Sequence, residues 1–232
     1  MSQCEHTMEP MRPIPALRWA GFVPFAVASL VHVSFLAVGS AAPAALTKLL
    51  LMPLLAAGVL WAAWGDARDR RAALLLSALG LSWLGDEAAL FFPVLPELPA
   101  MLAFFGIAHV LYIWLFLRHL ARRPAHGWAI LYGVWWIGML AVLFPRLGAL
   151  TAAVAVYGLV LGGTATSAAR GNRITAAGGL LFLASDSVLA FRLFTPEAMP
   201  DWTSPLVMLT YCLGQGLLAA GVLVAIRGER HG

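Results

Sequence analysis

The chain has 232 residues, of which 61% are hydrophobic and 11% charged, and its mean hydropathy is +0.85. That balance excludes a soluble domain and indicates a polytopic membrane protein with an all-α fold. The formal charge of +4 and the pI near 9.6 come from arginines gathered in a few loops, so attraction to anionic lipid explains them and nucleic acid is not needed.

A polar, Pro-rich arm over residues 1–17 is expected to be cytoplasmic. It precedes an apolar run long enough to stay as a span, so no cleavable signal peptide is expected. Eight windows of about 20 apolar residues follow, the length that crosses a ~30 Å hydrocarbon layer. They run over 18–38, 43–64, 72–92, 100–120, 127–144, 147–168, 175–194 and 204–226, with a tail over 227–232. Short loops rich in Pro, Gly or charge join them, so residues 18–226 form one eight-helix domain.

Span two carries Thr47-Lys48 and Pro53. Span three ends in Ser82-Trp83-Leu84-Gly85-Asp86-Glu87, span four holds Phe105, His109 and Tyr112, span seven holds Ser185-Asp186, and span eight holds Tyr211 and Gln215. Cys4 and Cys212 are too few for a disulfide framework, and Cys212 reads as a small core residue. Twelve of the fifteen Lys and Arg fall on one side of this topology, which predicts that both termini are cytoplasmic.

An ionisable side chain in hydrocarbon costs at least a few kcal/mol, so it usually faces a polar cavity or a partner. At 1.5 Å per residue, His109, Asp186 and Gln215 lie roughly 16 Å from the cytoplasmic ends of their spans, and His32, Lys48, Asp86 and Glu87 roughly 20–23 Å. A shared depth for groups from six spans predicts one cavity. His109 with Tyr112, Ser82 with Asp86, and Tyr211 with Gln215 are each spaced to share a helix face. Spans three and seven both set Asp after a Gly-rich approach with Phe at +5, and spans four and eight both set an aromatic four residues before a polar group. These matches suggest two four-span repeats in parallel orientation.

Thr47-Lys48 with Pro53, Ser82-x-x-Gly85-Asp86, Phe105-Gly106-x-Ala108-His109-x-x-Tyr112, Gly179-x-x-Phe182-x-x-Ser185-Asp186 and Tyr211-x-x-Gly214-Gln215, in that order, resemble the YhhN-type lysoplasmalogenase family. The resemblance implies an eight-span enzyme that hydrolyses the vinyl ether bond of a lysophospholipid, lysoplasmalogen. The products would be a fatty aldehyde and glycerophosphoethanolamine or glycerophosphocholine. Glu87 departs from the family, where an aliphatic residue is more usual. No cofactor or metal is implied.

Vinyl ether hydrolysis needs an acid for the β-carbon, a base for water and nearby negative charge. Asp86 and Asp186 supply these if one is protonated and the other ionised, as in glycosidases. Lys48 would hold one carboxylate ionised or meet the lipid phosphate. Ser185, His109, Tyr112, Tyr211 and Gln215, with Ser82, would orient water and the glycerol oxygens, and Trp83, Phe104 and Phe182 would line a channel for the chain. The competing reading of the aspartates is structural, as helix–helix hydrogen bonds or ion pairs with Lys48 and Arg192. His32 reads as structural, and Trp61, Trp64, Trp128, Trp135 and Trp136 as interfacial belts. A proton-coupled transporter, a zinc lipid hydrolase built on His32 and His109, and an intramembrane aspartyl protease are the alternatives. The Ala-, Leu- and Arg-rich style points to a bacterial inner membrane.

Overall fold

The computed structural model describes residues 18–64, 69–121, 123–124 and 127–228, so the arm over 1–17 lies outside the described residues. Eight long helices make up the fold: α1 Val23–Ala37, α2 Ala41–Ala62, α3 Arg70–Asp86, α4 Glu97–Leu115, α5 Ile130–Leu147, α6 Thr151–Ala169, α7 Arg173–Phe194 and α8 Thr203–Gly228. A turn of 3-10 helix, Ala20–Phe22, leads into α1, a single turn Ala88–Phe91 follows α3, and a π-helical turn Phe116–Leu120 ends α4. Helix α8 reaches Gly228, so Arg227 belongs to the helix and not to a tail.

Six stretches are long and apolar enough to cross a membrane, rather than the eight read from the sequence. Two features account for the difference. The stretch Ile130–Ala169 contains both α5 and α6, parted where Gly148 takes φ +51, a left-handed angle that a residue without Cβ adopts at no steric cost. Helix α3 has only 17 residues and starts with Arg70 and Arg71.

The helix starts are written locally. The Asp69 carboxylate accepts from the Arg71 main-chain N–H at 2.8 Å and opens α3. Asn172 opens α7 with a capping box: its side chain accepts from the N–H groups of Ile174 and Thr175, while Thr175 Oγ1 accepts from the Asn172 N–H. The same Asn172 amide donates to the Gly221 carbonyl of α8 at 2.8 Å, so the cap also joins two helices.

Neighbouring helices close a ring in the order α1, α2, α3, α4, α6, α7, α8 and back to α1. Helix α8 also leans on α2 and α3, and twelve of its residues are buried. Helix α5 stands outside the ring against α6 and α7, with Leu143 and Leu147 its only buried members among the described residues. The arginine-rich helix ends lie together: Arg170 Nε donates to the Arg123 carbonyl at 2.9 Å, and Arg227 Nη2 to that of Ala62 at 2.8 Å. At the opposite ends Arg146 meets Glu197 at 3.3 Å on the surface.

The closest packing joins α7 to α8. A Cβ at Gly178 would lie 2.7 Å from the Leu218 main-chain nitrogen, and one at Gly214 would lie 2.9 Å from that of Phe182. Backbone touches backbone here, which is how helices gain packing energy where lipid supplies no hydrophobic drive. Gly178→Ala should therefore part the two helices and cost about 1–3 kcal/mol, read as a lower unfolding temperature in detergent. Gly80→Ala, where a Cβ meets nothing within 4 Å, should leave that temperature unchanged.

Candidate active site

Asp86 is the last residue of α3, where the chain turns at Glu87. Its Oδ2 accepts from the Tyr211 hydroxyl of α8 at 2.7 Å. The bond is one end of a directed chain. The Tyr112 hydroxyl donates to Gln215 Oε1 at 2.6 Å, and Gln215 Nε2 donates to Ser82 Oγ at 3.2 Å and to the Tyr211 oxygen at 3.4 Å. Two of the expected face pairs, Ser82 with Asp86 and Tyr211 with Gln215, thus meet Tyr112 in one cluster contributed by α3, α4 and α8, while His109, expected beside Tyr112, belongs elsewhere. Ser82 and Gln215 are fully buried.

Asp186, on α7, belongs to a second cluster. Its Oδ2 accepts from the Tyr157 hydroxyl of α6. His109 Nε2 lies 3.3 Å from the same hydroxyl and 3.9 Å from Asp186 Oδ2. Thr164 donates to the His109 carbonyl at 3.3 Å, so its oxygen is free to accept from His109 Nδ1–H at 3.0 Å. Asp186, Tyr157 and His109 thus form one hydrogen-bonded line, the kind of arrangement along which a proton can pass.

Aromatic rings join the clusters. The Phe182 ring makes edge contacts with Tyr211 at 5.4 Å on one side and His109 at 4.9 Å on the other, and Phe105 contacts both Phe182 and Tyr211. Gly85 makes room for this, since a Cβ there would lie 2.6 Å from the Phe105 ring. Next to Asp186, between α5, α6 and α7, lies a cavity of about 50 Å³ lined by Trp135, Leu140, Leu143, Tyr157 and Ser187.

Other sequence-selected residues take different places. Lys48 Nζ donates to the Asp86 main-chain carbonyl at 2.5 Å, and Arg192 bonds Thr203 and Pro200, so the ion pairs considered for the two aspartates do not form among the described residues. Ser185 donates to the Val207 carbonyl of α8 and stands apart from both clusters. His32 reaches the Ala44 carbonyl and Thr47 on α2, while His109 turns to α6, so the two histidines face different partners. No group of three His, Cys, Asp or Glu among the described residues could hold a metal. Trp83 donates to the Leu49 carbonyl and Phe104 stacks on Phe92, whereas Trp135 and Trp136, expected in an interfacial belt, pack against α7 and α6 beside Asp186. The Trp128 side chain lies outside the described residues.

Tyr157 and Thr164 are the residues that sequence reasoning missed. A signal for Tyr157 existed: it lies eleven residues from the end of its span, Leu161 and Ser167 side, which sets it at the same depth of roughly 16 Å as His109 and Asp186.

The family model that matches this chain is that of the YhhN family, over residues 43–222. No curated protein and no solved structure matches it. The matched region holds all of both clusters.

The buried chain of donors makes a stability prediction. Tyr112→Phe strands the Gln215 carbonyl oxygen, and Gln215→Leu strands the Tyr112 hydroxyl, so each should cost about 1–3 kcal/mol. The double variant should cost less than the sum of the two, a non-additivity of about 0.5–3 kcal/mol by thermal unfolding in detergent.

Proposed function

The chain belongs to the YhhN family, and on that premise we propose that it is an integral-membrane lysoplasmalogenase, cleaving the vinyl ether of a lysophospholipid with Asp86 and Asp186. One observation carries the reading. Two carboxyl groups on different helices each take a hydrogen bond from a tyrosine hydroxyl, Tyr211 for Asp86 and Tyr157 for Asp186, in the interior of an apolar helical ring. A structural role would be served more cheaply by Ser, Thr or Asn.

The proposal includes eight spans, with α3 and each of α5 and α6 crossing separately, and both termini in the cytoplasm of a bacterial inner membrane. It also includes two four-helix halves. Helix α2 packs on α3 as α6 does on α7, α3 on α4 as α7 on α8, and α4 on α6 as α8 on α2, which supports the repeat. The halves part company at α5, which lies outside the ring while α1 lies within it.

In the reaction, one carboxyl gives its proton to the β-carbon of the vinyl ether, and the C=C electrons form that C–H bond. The ether oxygen then shares the positive charge of an oxocarbenium ion. The other carboxylate faces this charge and takes a proton as water adds to the α-carbon, giving a hemiacetal. Its collapse breaks the C–O bond, releasing the aldehyde and leaving the proton on the glycerol oxygen. Water is consumed, and return of the proton from the second carboxyl to the first restores the starting acid and base. The hydrogen-bonded line of Tyr157 and His109 serves Asp186 in these transfers, and the ring edges of Phe105 and Phe182 exclude bulk water from the cation.

The checking measurement is aldehyde release from lysoplasmenylethanolamine by the purified protein in detergent. Asp86→Asn and Asp186→Asn, in folded form, should abolish release, and Tyr157→Phe should lower kcat by about 10²–10⁴. Release should be unaffected by chelators. A folded wild-type protein that is silent on several headgroups would overturn the reading, and uptake by reconstituted vesicles would replace it with transport.

A further inference from the structure

Of the fifteen Lys and Arg, three lie away from the arginine-rich helix ends: Lys48, Arg146 and Arg192. Arg146 is on the surface with Glu197. The other two line one pocket. It measures about 300 Å³, opens between the α1–α2 pair and the α7–α8 pair, and is walled by His32, Ala44, Lys48, Arg192, Ser204 and Met208.

Neither cation of that pocket has a carboxylate partner among the described residues. Lys48 gives one N–H to the Asp86 carbonyl, and Arg192 uses Nη1 on Thr203 Oγ1 at 2.5 Å and the Pro200 carbonyl at 3.4 Å. The Asp86 and Glu87 carboxylates both lie within electrostatic range of Lys48 but do not hydrogen-bond it: Asp86 is engaged by Tyr211, and Glu87 Oε1 has no hydrogen-bond partner. Lys48 keeps two N–H groups and the Arg192 guanidinium its Nε and Nη2 faces. His32 lines the same space but offers no donor to an anion, since its Nδ1–H donates to the Ala44 carbonyl and Nε2 of the neutral ring is then an acceptor. It is 2% exposed, its Nδ1 is committed to Ala44 and Thr47, and its Nε2 is buried without a partner. A lysine and an arginine with N–H groups left over around one space in an apolar setting are the recognition chemistry of a tetrahedral oxyanion.

We propose that this pocket binds phosphate, in the form of the phosphodiester of a single-chain phospholipid. The proposal deepens the vinyl ether hydrolase reading and rests on it for the identity of the lipid. Geometry favours the headgroup over a free anion. Lys48 touches the main chain of Asp86, so a phosphate on its ammonium lies within a residue's reach of the Asp86 carboxylate. In a lysoplasmalogen six bonds separate phosphorus from the vinyl carbon, about 7 Å when extended, which spans that gap. The phosphate would thus anchor the lipid at one end with its reactive bond at Asp86.

The test uses an uncleavable probe, a saturated alkyl-ether lysophosphocholine, against its neutral counterpart, the alkylglycerol of the same chain. Binding to the full detergent-purified protein is measured by calorimetry, with inorganic phosphate as competitor. The expected result is that the phospholipid binds at least about tenfold more tightly than the alkylglycerol, a difference of about 1.4 kcal/mol. Arg192→Gln and Ser204→Asp should each erase that advantage and leave alkylglycerol binding as it was, while Arg192→Lys should restore part of it. Ser204→Asp guards against an Arg192 variant that fails to fold. Equal affinity of the two lipids, or an advantage untouched in both variants, would overturn the proposal. Competition by millimolar phosphate alone would overturn the headgroup assignment in favour of a free-anion site. Because the probe is not cleaved, intact phosphate-dependent binding without aldehyde release would overturn the hydrolase reading and leave the site standing.

Discussion

Within a bilayer no water is present to satisfy a polar group, so each must find its partner in the protein. The arrangement of this molecule follows from that constraint. Tyr112, Gln215, Tyr211 and Ser82 are linked around Asp86, and Thr164, His109 and Tyr157 around Asp186, because none of them could be left facing lipid. The ring of seven helices has a polar interior layer for the same reason, and the outward faces are Leu, Val, Ile and Trp.

The same constraint made part of the site legible before any coordinates. Two aspartates in apolar runs, and the i, i+3 and i, i+4 spacing of Tyr112, Tyr211 and Gln215 to other polar groups, pointed inward; Asp186 and those three are buried and Asp86 half-buried. What was not legible is how the polar layer divides. Depth along a helix says nothing about direction around it, so it could not tell which polar groups gather on Asp86 and which on Asp186, with the Phe182 ring touching both sets. Tyr157 escaped because tyrosine in a span is usually read as an interfacial or packing residue, and only its depth marked it. Trp135 and Trp136 reverse the case: their position near a span end suggested a belt, while their indole N–H groups point at Ser187 and the Ala155 carbonyl.

The fold class was readable from composition alone, and the span count less so. Hydropathy counts residues without seeing where the chain bends, so Gly148 is invisible to it, and α3 loses apolar length to its arginines and its aspartate. The glycines of the α7–α8 contact could be noticed in the sequence as close-packing positions. Which helix each one admits is decided by the ring order, and that depends on contacts between residues far apart in the chain.

The backbone contact of α7 with α8 has a mechanical meaning. Side-chain packing yields when rotamers change, but two backbones pressed together at Gly178 and Gly214 have nothing soft between them. Asp186 rides on one of these helices, and Tyr211 and Gln215 on the other. The pair is therefore the stiff member of the assembly, and the polar groups it carries keep their spacing under load. Compliance is left to α5, held from one side by α6 and α7 with Asp186 behind it. A molecule arriving sideways through the bilayer would displace that loose helix and find the rest already in position.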